Sequence, residues 1–591
     1  MIKKIKNITF VIITGFLLNS CASILMPSGG PKDITPPGIK ESIPENYSVN
    51  FNNKKIFIKF DEFIQLRSVN QSLIISPPLP EKPKIIAKGK TLMIDINNEL
   101  EDSTTYTFNF GESITDITEG NAQKNFQFIF STGNFIDSLQ IEGKMINSFD
   151  LLEEENALIM LYNNYEDSIP YKEQPLYLAK TNANGNFILN NIKTGTYKMF
   201  ALKDMNNNYL FDQPNEQIAF LDSLITPKAE LLLKIDTIIA DTNTVDTIAS
   251  DSIVTDTTVI YSPKDITMYL FEEDNAEQYI SNSVREMKGK CVFNFNKTLK
   301  DTFIIKSINF DISDKELLIE KNLTNDTIIC WIPDTSICNL DTLCFSVSYL
   351  KKDSNETYFL NTDTVNLKYR QVKKARKKDV EIQDTTLKFK TSIVNGNKID
   401  INKDIVIDFE IPLNNIDTSL ILLSEIIDSL KTPVEFKFFR DSVSLRKYHI
   451  NYKWEQEKSY NFSIAPNAFT DIFNQTNDSL NFDFNVEQQE HYGSLILNIT
   501  NIQEAIIIQL MNAKQKVIHE LFIEQNEKMK IPYLHPGKYE LKIIFDKNKN
   551  KKWDTGKYLK NIQPEKVLFY QEEINIKTNW DLDIEIDLLK K

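Results

Sequence analysis

The chain repeats part of itself, and this internal duplication constrains its fold more than any other feature. Residues 195–212 contain Gly-x-Tyr followed by a loop rich in Asp and Asn, and residues 537–554 repeat that pattern at a constant offset of 342. Upstream, residues 56–61 match residues 405–410 at an offset of 349. Matches in the same order with drifting offsets indicate a duplicated two-domain block whose connecting loops differ in length. The two copies span residues 38–232 and 388–591.

Short segments in which polar and apolar residues alternate occur in both blocks. Residues 56–61 and 105–110 alternate with a period of two, which is typical of antiparallel strands with one buried face. The chain also has 37 Phe and 22 Tyr but only 16 Gly among 591 residues, a composition that favours strands over helices. The sequence therefore predicts an all-β fold of tandem β-sandwich domains.

Several short motifs occur in the first half of the first block. They are Pro36-Pro37, Phe60-Asp61-Glu62, Lys90-Thr91-Leu92, Thr104-Thr105-Tyr106 and a closing segment at 128–133. Together they resemble the bacterial Ig-like domain of the SbsA type. The resemblance implies an Ig-like domain at 38–133 and a divergent copy at 388–487, which lacks the closing Ser-Thr-Gly.

The second half of each block carries a different pattern. In the first copy it reads Asn184-Gly185-Asn186-Phe187, followed by Gly195-x-Tyr197 leading into a strand. This pattern resembles transthyretin-like or carboxypeptidase-regulatory β-sandwiches, and it implies such domains at 137–232 and 490–591. Strand-like patterns at 262–370 predict a fifth β-sandwich domain. As a whole, the chain resembles Bacteroidota outer-membrane lipoproteins that carry an amino-terminal Ig-like domain.

The amino terminus predicts export. Residues 1–20 have a lysine-rich start and an apolar segment of eleven residues, too short to span a bilayer, as in a signal peptide. Leu18-Asn19-Ser20-Cys21 resembles a lipobox, which makes Cys21 the lipidated residue; the alternative is an ordinary signal peptide with a chance cysteine. Residues 21–37 read as a tether. Because no acidic cluster follows Cys21, we expect an outer-membrane anchor facing the periplasm rather than the cell surface.

Charge and motif content exclude several functions. The formal net charge of −15 argues against nucleic-acid binding. The four histidines have no nucleophile partner by motif, and Asp61-Glu62 reads as a solvated strand end, so we expect no enzyme, no catalytic residue and no small-molecule substrate. The sequence favours a scaffold with envelope protein partners. The alternative is a glycan- or peptide-binding module that uses exposed tryptophans, drawn from Trp331, Trp454, Trp553 and Trp580.

The Asp/Asn-rich loops are candidate cation sites. In the first copy, oxygen ligands fall at positions 1, 3, 5, 7, 9 and 13 of the loop, a spacing with which a chain can wrap Ca²⁺. They belong to Asp204, Asn206, Asn208, Leu210 (through its carbonyl), Asp212 and Glu216. The second copy repeats Asp546, Asn548, Asn550 and Asp554 but is crowded by lysines. The alternative is a plain Asx-rich turn without a cation; no other cofactor is expected.

Two further features accompany the central region. Residues 236–260, rich in Asp and Thr, predict a flexible linker or an exposed insertion. Its Asp-Ser/Thr pairs resemble an O-glycosylation motif of exported Bacteroidota proteins, which implies acceptors at Thr237, Thr247, Ser252 and Thr257. The cysteines of the fifth domain lack metal-site spacing, so we expect buried thiols or one disulfide. They are Cys291, Cys330, Cys338 and Cys344.

Overall fold

The fold is known from a computed structural model, which confirms the all-β prediction of tandem β-sandwich domains. The described residues are 32–238, 252–274, 277–300, 302–312, 317–353, 357–369, 386–394 and 396–589. The predicted signal peptide, Cys21 and Thr247 lie outside them. The described residues include three α-helices, each of one turn: α1 (Val69–Ser72), α2 (Ile169–Lys172) and α3 (Thr335–Cys338). Three 3₁₀ turns lie at Thr418–Leu420, Gln489–His491 and Tyr558–Lys560.

The chain divides into two compact units. Unit 1 consists of the residues up to Asn147, Leu152–Glu272 and the short segment Tyr558–Ile562. Unit 2 consists of the short segment Ser148–Leu151, Glu273–Lys557 and Gln563–Lys591.

The first domain of unit 1 occupies the range predicted for an Ig-like sandwich. Its sheets have the orders β1-β2-β6-β5 and β4-β7-β9, with β3 paired to β8. The alternation seen in the sequence places Ile56, Ile58 and Phe60 in a core shared with Phe108 and Phe128, all fully buried. The strands are β1 (Ile39–Ile43), β2 (Lys55–Phe60), β3 (Ile64–Leu66), β4 (Ile74–Ser76), β5 (Lys84–Lys88), β6 (Thr91–Asp95), β7 (Thr105–Asn109), β8 (Ile114–Asp116) and β9 (Gln127–Ser131).

The second domain of unit 1 is a sandwich in which one strand, β18 (Ile266–Glu272), pairs with both sheets and connects them. The strand order is β12-β11-β14-β15-β18-β10-β13, and Ile141, Leu161 and Met199 from both halves meet in the core. The strands are β10 (Leu139–Asn147), β11 (Leu158–Tyr162), β12 (Tyr177–Lys180), β13 (Asn186–Ile192), β14 (Lys198–Lys203), β15 (Gln217–Phe220), β16 (Lys228–Ile238), β17 (Ser252–Ser262) and β18 (Ile266–Glu272).

Strand β18 corrects two predicted domain boundaries. It pairs parallel with β10 and antiparallel with β15, so it completes the sandwich that the sequence placed at 137–232. The first copy therefore extends to Glu272, and the domain predicted at 262–370 begins after that residue. The sequence missed this because a long insertion separates β18 from the strands it joins.

The insertion contains a β-hairpin at the flanks of the predicted linker 236–260. Strands β16 and β17 pair antiparallel from Lys228↔Ser262 to Ile238↔Ser252. Among the predicted glycosylation sites, Thr237, Ser252 and Thr257 lie on these strands. The sequence predicted either a flexible linker or an exposed insertion for residues 236–260, and the paired strands at both ends of this segment fit an insertion. Residues 239–251 lie outside the described part of the chain.

Unit 2 begins with a domain of two sheets, ordered β19-β20-β23-β22 and β21-β24-β25. Its core includes Phe293, Ile328, Phe345 and Tyr349, all fully buried. The strands are β19 (Ile280–Met287), β20 (Lys290–Phe295), β21 (Phe303–Ser307), β22 (Leu318–Lys321), β23 (Thr327–Trp331), β24 (Thr342–Lys352) and β25 (Tyr358–Lys368).

The next domain of unit 2 lies where the divergent Ig-like copy was predicted. Its sheets are ordered β26-β28-β33-β32 and β27-β36-β34-β30-β31, with β29 paired to β35. Its core contains Ile405, Phe409, Tyr460 and Phe462. The strands are β26 (Phe389–Thr391), β27 (Lys398–Ile399), β28 (Ile405–Phe409), β29 (Leu413–Ile416), β30 (Ile421–Ile427), β31 (Leu430–Pro433), β32 (Lys437–Arg440), β33 (Lys447–Asn451), β34 (Ser459–Ile464), β35 (Phe469–Asp471) and β36 (Leu480–Val486).

The last domain of unit 2 repeats the strand arrangement of the second domain of unit 1. One sheet is ordered β40-β37-β44, and the other β39-β38-β41-β42 with β43 also paired to β41. As β18 does with β10, β44 pairs parallel with the first strand of its domain, β37. The strands are β37 (Gly493–Thr500), β38 (Ile506–Asn512), β39 (Val517–Ile523), β40 (Glu527–Leu534), β41 (Gly537–Phe545), β42 (Val567–Phe569), β43 (Ile574–Ile576) and β44 (Asp581–Asp587).

Candidate functional sites

The first Asp/Asn-rich loop connects β14 to β15 and is held by its own side chains. Asp204 follows β14 directly, and its Oδ1 accepts hydrogen bonds from the backbone N–H groups of Asn206 and Asn207 at 3.2 and 2.6 Å. Its Oδ2 accepts a hydrogen bond from the N–H of Tyr209 at 2.9 Å. These are Asx-turn contacts, which bend the backbone around the carboxylate.

Glu216 closes the loop from its other end. This residue is fully buried, and its Oε1 accepts from the N–H of Met205 at 3.1 Å. Its Oε2 accepts from the N–H groups of Asp212 and Gln213, both at 3.0 Å. Since a buried carboxylate is costly unless it is hydrogen-bonded, these three donors explain why the loop tolerates it.

The predicted calcium ligands therefore share one loop, but their amides face the wrong way for a cation. Asn206 Nδ2 and Asn208 Nδ2 donate to the two carboxylate oxygens of Asp212 at 2.9 and 2.8 Å. Hydrogen bonds from Gln213, Asn208 and Asn206 lower the pKa of Asp212. Calcium binding would require both amide oxygens to turn toward the carboxylates. Among the described residues, no group of three or more His, Cys, Asp or Glu side chains is arranged to hold a metal ion.

The second loop repeats this arrangement and reveals a residue that sequence comparison missed. Glu565 Oε1 accepts from the N–H of Lys547 at 2.8 Å, and its Oε2 accepts from the N–H of Asp554 at 3.0 Å. These contacts make Glu565 the counterpart of Glu216. The segment between the last Asp and this Glu is seven residues longer in the second copy, which hid the match. Burial raises the pKa of Glu565.

The other predicted members of the second loop behave as in the first. Asp546 is fully buried and accepts from the N–H groups of Asn550 and Lys551 at 3.1 and 2.7 Å. Asn548 and Asn550 both donate through their side-chain amides to Asp554 Oδ2. The two copies thus share one hydrogen-bonding scheme around an Asp at each end and a closing Glu.

The four tryptophans differ sharply in exposure. Trp331 is fully buried and Trp454 is 4% exposed, so the prediction that they are exposed is wrong: both belong to domain cores or junctions. Trp553 is half-buried and donates through Nε1 to the carbonyl of Glu565 at 2.9 Å. Trp580 is 62% exposed. It alone of the four presents most of its ring to solvent.

The cysteines of the described chain are free thiols. Cys291, Cys330 and Cys338 are buried, and Cys344 is half-buried. Burial raises the pKa of Cys291 to about 12 and raises that of Cys330 and Cys338 as well. A thiol whose pKa is raised is a weak nucleophile at neutral pH, so these side chains act as core residues.

Other titratable groups are engaged in structural contacts. Asp61 accepts from the backbone N–H of Gly38 at 2.7 Å, at the strand end where Asp61-Glu62 was predicted. His449 lies between Asp441 and Asp404, at 3.1 and 3.5 Å.

Lys542 is a buried amine of unit 2 with a lowered pKa. The residue is 3% exposed, and its Nζ lies 3.1 Å from the centroid of the Phe149 ring. Burial lowers its pKa to about 8, and the carboxylate of Asp150 opposes that shift. The arrangement is a cation–aromatic contact between a buried lysine and an exposed phenylalanine.

Buried polar contacts fix the junction between the two domains of unit 1. Thr105 Oγ1 donates to Asp137 Oδ2 at 2.8 Å, and Asp137 N donates back to Thr105 Oγ1 at 3.0 Å. Leu178 N donates to Ser76 Oγ at 3.1 Å. Because Thr105, Asp137 and Ser76 are all buried, these bonds are protected from water and restrict the relative orientation of the two domains.

An ion pair with a buried carboxylate connects the first two domains of unit 2. Glu320 on β22 is 4% exposed, and its carboxylate accepts from Arg446 Nε at 2.9 Å and Ser444 Oγ at 2.9 Å. Trp331 Nε1 donates to the same carboxylate at 3.2 Å. The two domains also pack closely at this junction, because a Cβ atom at Gly289 would lie 2.5 Å from the ring of Phe473.

The junction between the last two domains uses Asp400. Tyr492 donates through its hydroxyl to Asp400 Oδ1 at 2.7 Å, and His535 Nε2 lies 3.2 Å from the same carboxylate. Burial, followed by the hydrogen bond to Asp400, raises the pKa of Tyr492. Within each unit, neighbouring domains are therefore joined by specific polar contacts in addition to the peptide chain.

Comparison with known proteins supports the fold. Residues 33–132 match the family described as the bacterial Ig-like domain. No curated protein matches the chain at a significant level. In the described residues, no helix is long and apolar enough to cross a membrane.

Solved structures resemble the chain only distantly. BcpA, the major pilin subunit of Bacillus cereus, is 9% identical, with 76% of this chain and 99% of that chain covered and a TM-score of 0.14. A Bacteroides ovatus mixed-linkage glucan utilization locus protein, SGBP-B, solved with a heptasaccharide, is 8% identical, with coverages of 84% and 99% and a TM-score of 0.16. An L,D-transpeptidase from Mycobacterium smegmatis is 12% identical, with coverages of 39% and 77% and a TM-score of 0.13. Values this low carry no functional information.

Proposed function

We propose that this chain is a non-enzymatic, lipid-anchored envelope protein of the Bacteroidota lipoprotein type that acts as a structural or protein-interaction scaffold. The anchor is Cys21, and the protein faces the periplasm from the outer membrane. Loops and edge strands of the sandwiches offer the surfaces that bind envelope proteins.

One observation carries this proposal: neighbouring domains within each unit are joined by specific hydrogen bonds and ion pairs, several of which use buried polar groups. The Glu320–Arg446 pair is the strongest example, because a buried charge is stable only when its partner stays in place. Flexible tandem domains do not need such contacts, since inter-domain motion is the default for chains joined by exposed linkers. A series of domains held in fixed orientation suits a spacer or scaffold.

The lipid anchor rests on the sequence alone, and a single substitution tests it. Acyl chains on one residue attach a folded domain to a bilayer without a spanning helix. Cys21→Ala should move the protein from the membrane fraction to the soluble fraction and change its mobility. If the variant still sediments with membranes and migrates unchanged, the lipobox interpretation fails.

Two modifications of the scaffold are part of the proposal. Calcium in the Asp204–Glu216 loop, and more weakly in the Asp546 loop, would stiffen the ends of β14 and β41. Glycans on Thr237, Thr247, Ser252 and Thr257 would keep the inserted hairpin region extended and resistant to proteases.

A second candidate function is a binding module for a glycan or peptide. The exposure of Trp580 favours it, because large exposed aromatic side chains are enriched at binding surfaces. Copurification of tagged protein from detergent-solubilised membranes separates the two functions. Stable protein partners support the scaffold, whereas retention of glycan without a protein partner supports the binding module and contradicts the scaffold.

A further inference from the structure

Trp580 forms a ridge between two open surface clefts of the last domain. The residue lies in the turn between β43 and β44 and is 62% exposed. The cleft on one side, about 380 Å³, is lined by Glu573, Asn575, Lys577 and Leu582. The cleft on the other side, about 650 Å³, is lined by Tyr492, Ser494, Lys530, Tyr533, Asn579 and Asp581.

The backbone of this turn is fixed although the indole is exposed. Ser494 N donates to the carbonyl of Trp580 at 3.0 Å, and Asn579 N donates to the carbonyl of Tyr492 at 2.8 Å. Gly493 permits this close approach, because a Cβ there would lie 2.4 Å from the carbonyl of Lys577. A ring held on an anchored backbone loses little conformational entropy when a ligand stacks on it.

The chemistry of the larger cleft favours a neutral, polar ligand. Its closest charges compensate each other, since Lys530 Nζ lies 2.7 Å from Asp581 Oδ2 and Ser494 Oγ donates to the same carboxylate. The aromatic wall continues with Tyr533, whose ring lies edge-on to that of Tyr492 with centroids 5.8 Å apart. A net-charged ligand would have to compete with this existing ion pair.

A pyranose ring combines the two properties that these clefts offer. Its C–H face is apolar and packs flat on an indole, while its hydroxyl groups both donate and accept hydrogen bonds. Carboxylate, amide and ammonium groups next to Trp580 supply the matching acceptors and donors. A peptide would instead need unpaired backbone groups or an apolar pocket for its side chains, whereas both clefts are open and the larger one is lined mainly by polar residues.

We propose that the Trp580 ridge binds a neutral oligosaccharide, with one sugar ring stacked on the indole and neighbouring sugars in the two flanking clefts. This inference rests on the second candidate function and names its site and ligand class. Because clefts lie on both sides of the ring, the ligand spans several sugar units, and single sugars bind much more weakly.

Calorimetric titration with neutral hexasaccharides tests the proposal on the whole chain. The probes are cellohexaose, laminarihexaose, xylohexaose, mannohexaose and maltohexaose, with glucose as the short control. At least one hexasaccharide should bind; Trp580→Ala should raise its Kd about tenfold or more, and Trp580→Phe should raise it less. Phe63→Ala, which removes another exposed aromatic ring, should leave binding unchanged.

Each remaining outcome has a distinct meaning. If Trp580→Ala binds a hexasaccharide as tightly as the unchanged chain does, the protein binds glycans but the proposed site is wrong. If no hexasaccharide binds the unchanged chain, the saccharide proposal is overturned. Protein partners recovered with Trp580→Ala would still support the scaffold, so the failures of the two proposals remain distinguishable.

Discussion

Glu320 and Arg446, 126 residues apart in the sequence, form an ion pair with a buried carboxylate, in which Arg446 Nε lies 2.9 Å from Glu320 Oε2. Trp331 and Ser444 complete the hydrogen bonding of the same carboxylate. The pair joins two domains of unit 2 that each have a separate core. It therefore fixes an orientation that the two cores alone do not specify.

Removing one partner of this pair should destabilise the protein. Arg446→Met leaves the Glu320 carboxylate buried without its counter-charge, which costs about 3–5 kcal/mol in comparable pairs. Chemical denaturation, followed by tryptophan fluorescence, should show the transition at a lower denaturant concentration. The double variant Glu320→Leu with Arg446→Met should recover much of the loss; if it is less stable than Arg446→Met, the unpaired charge is not the cause.

The corrected boundary of the second domain of unit 1 predicts how fragments behave. A fragment of residues 38–272 contains β18 between β10 and β15, whereas a fragment of residues 38–232 leaves both strand edges unpaired. Both lack Tyr558, and only the longer fragment contains the complete β16–β17 hairpin and β18, so the comparison tests the hairpin and β18 together. We expect the longer fragment to be monomeric and β-rich by circular dichroism and the shorter one to aggregate. Equal stability of the two fragments would contradict the assigned topology.

Much of the fold could be predicted from the sequence. The alternation of polar and apolar residues is visible within one short segment, and the duplication is visible when the chain is compared with itself. The strand with Ile56, Ile58 and Phe60 was evident from its period of two. The pairing of β18 with β10 was not, since parallel pairing across a long insertion leaves no pattern in either segment. In the same way, seven extra residues hid the equivalence of Glu565 and Glu216.

The candidate sites were less predictable than the strands. Side-chain exposure depends on packing between sheets and domains: the sequence does not distinguish buried Trp331 from exposed Trp580. The clefts beside Trp580 depend on Gly493, on β37, allowing a distant turn to approach. The Asp/Asn spacing was visible, but only the structure shows that the amides of Asn206 and Asn208 face Asp212.

Calcium should stabilise the protein if the first loop binds it. Binding to the folded form alone raises the free energy of unfolding by about 2.7 kcal/mol at a hundredfold excess over Kd. We expect Ca²⁺ to raise the melting temperature, with less effect from Mg²⁺. Asp204→Ala should remove most of the increase, and Asp546→Ala should remove less. Identical melting curves in EDTA and excess Ca²⁺ would show that both loops are turns without a cation.

Stability should rise with pH because of Lys542. Its pKa is lowered to about 8 in the folded chain from an ordinary value of 10.5. Between these values the unfolded chain holds a proton that the folded chain has released, so the free energy of unfolding rises with pH across that window.

Urea denaturation at about pH 7.5 and about pH 9.5 measures this effect. We expect the free energy of unfolding to rise by about 1–2 kcal/mol more in the unchanged chain than in Lys542→Met. Because the two proteins share all other titrating groups, the difference between them isolates the contribution of Lys542. The same pH dependence in both proteins would contradict a buried ammonium at this position.

The scaffold account depends most directly on fixed domain orientation within unit 2. Pulsed electron–electron double resonance measures this orientation as the distance between two spin labels. The labels are placed at Asn282 on β19 and Thr432 on β31, two exposed positions in the domains joined by Glu320 and Arg446. Cysteines introduced at both positions, with Cys21→Ala and Cys344→Ser, leave the three buried thiols unlabelled. We predict a single narrow distance distribution that broadens with Arg446→Met. A broad distribution in the protein with Arg446 intact would contradict the account.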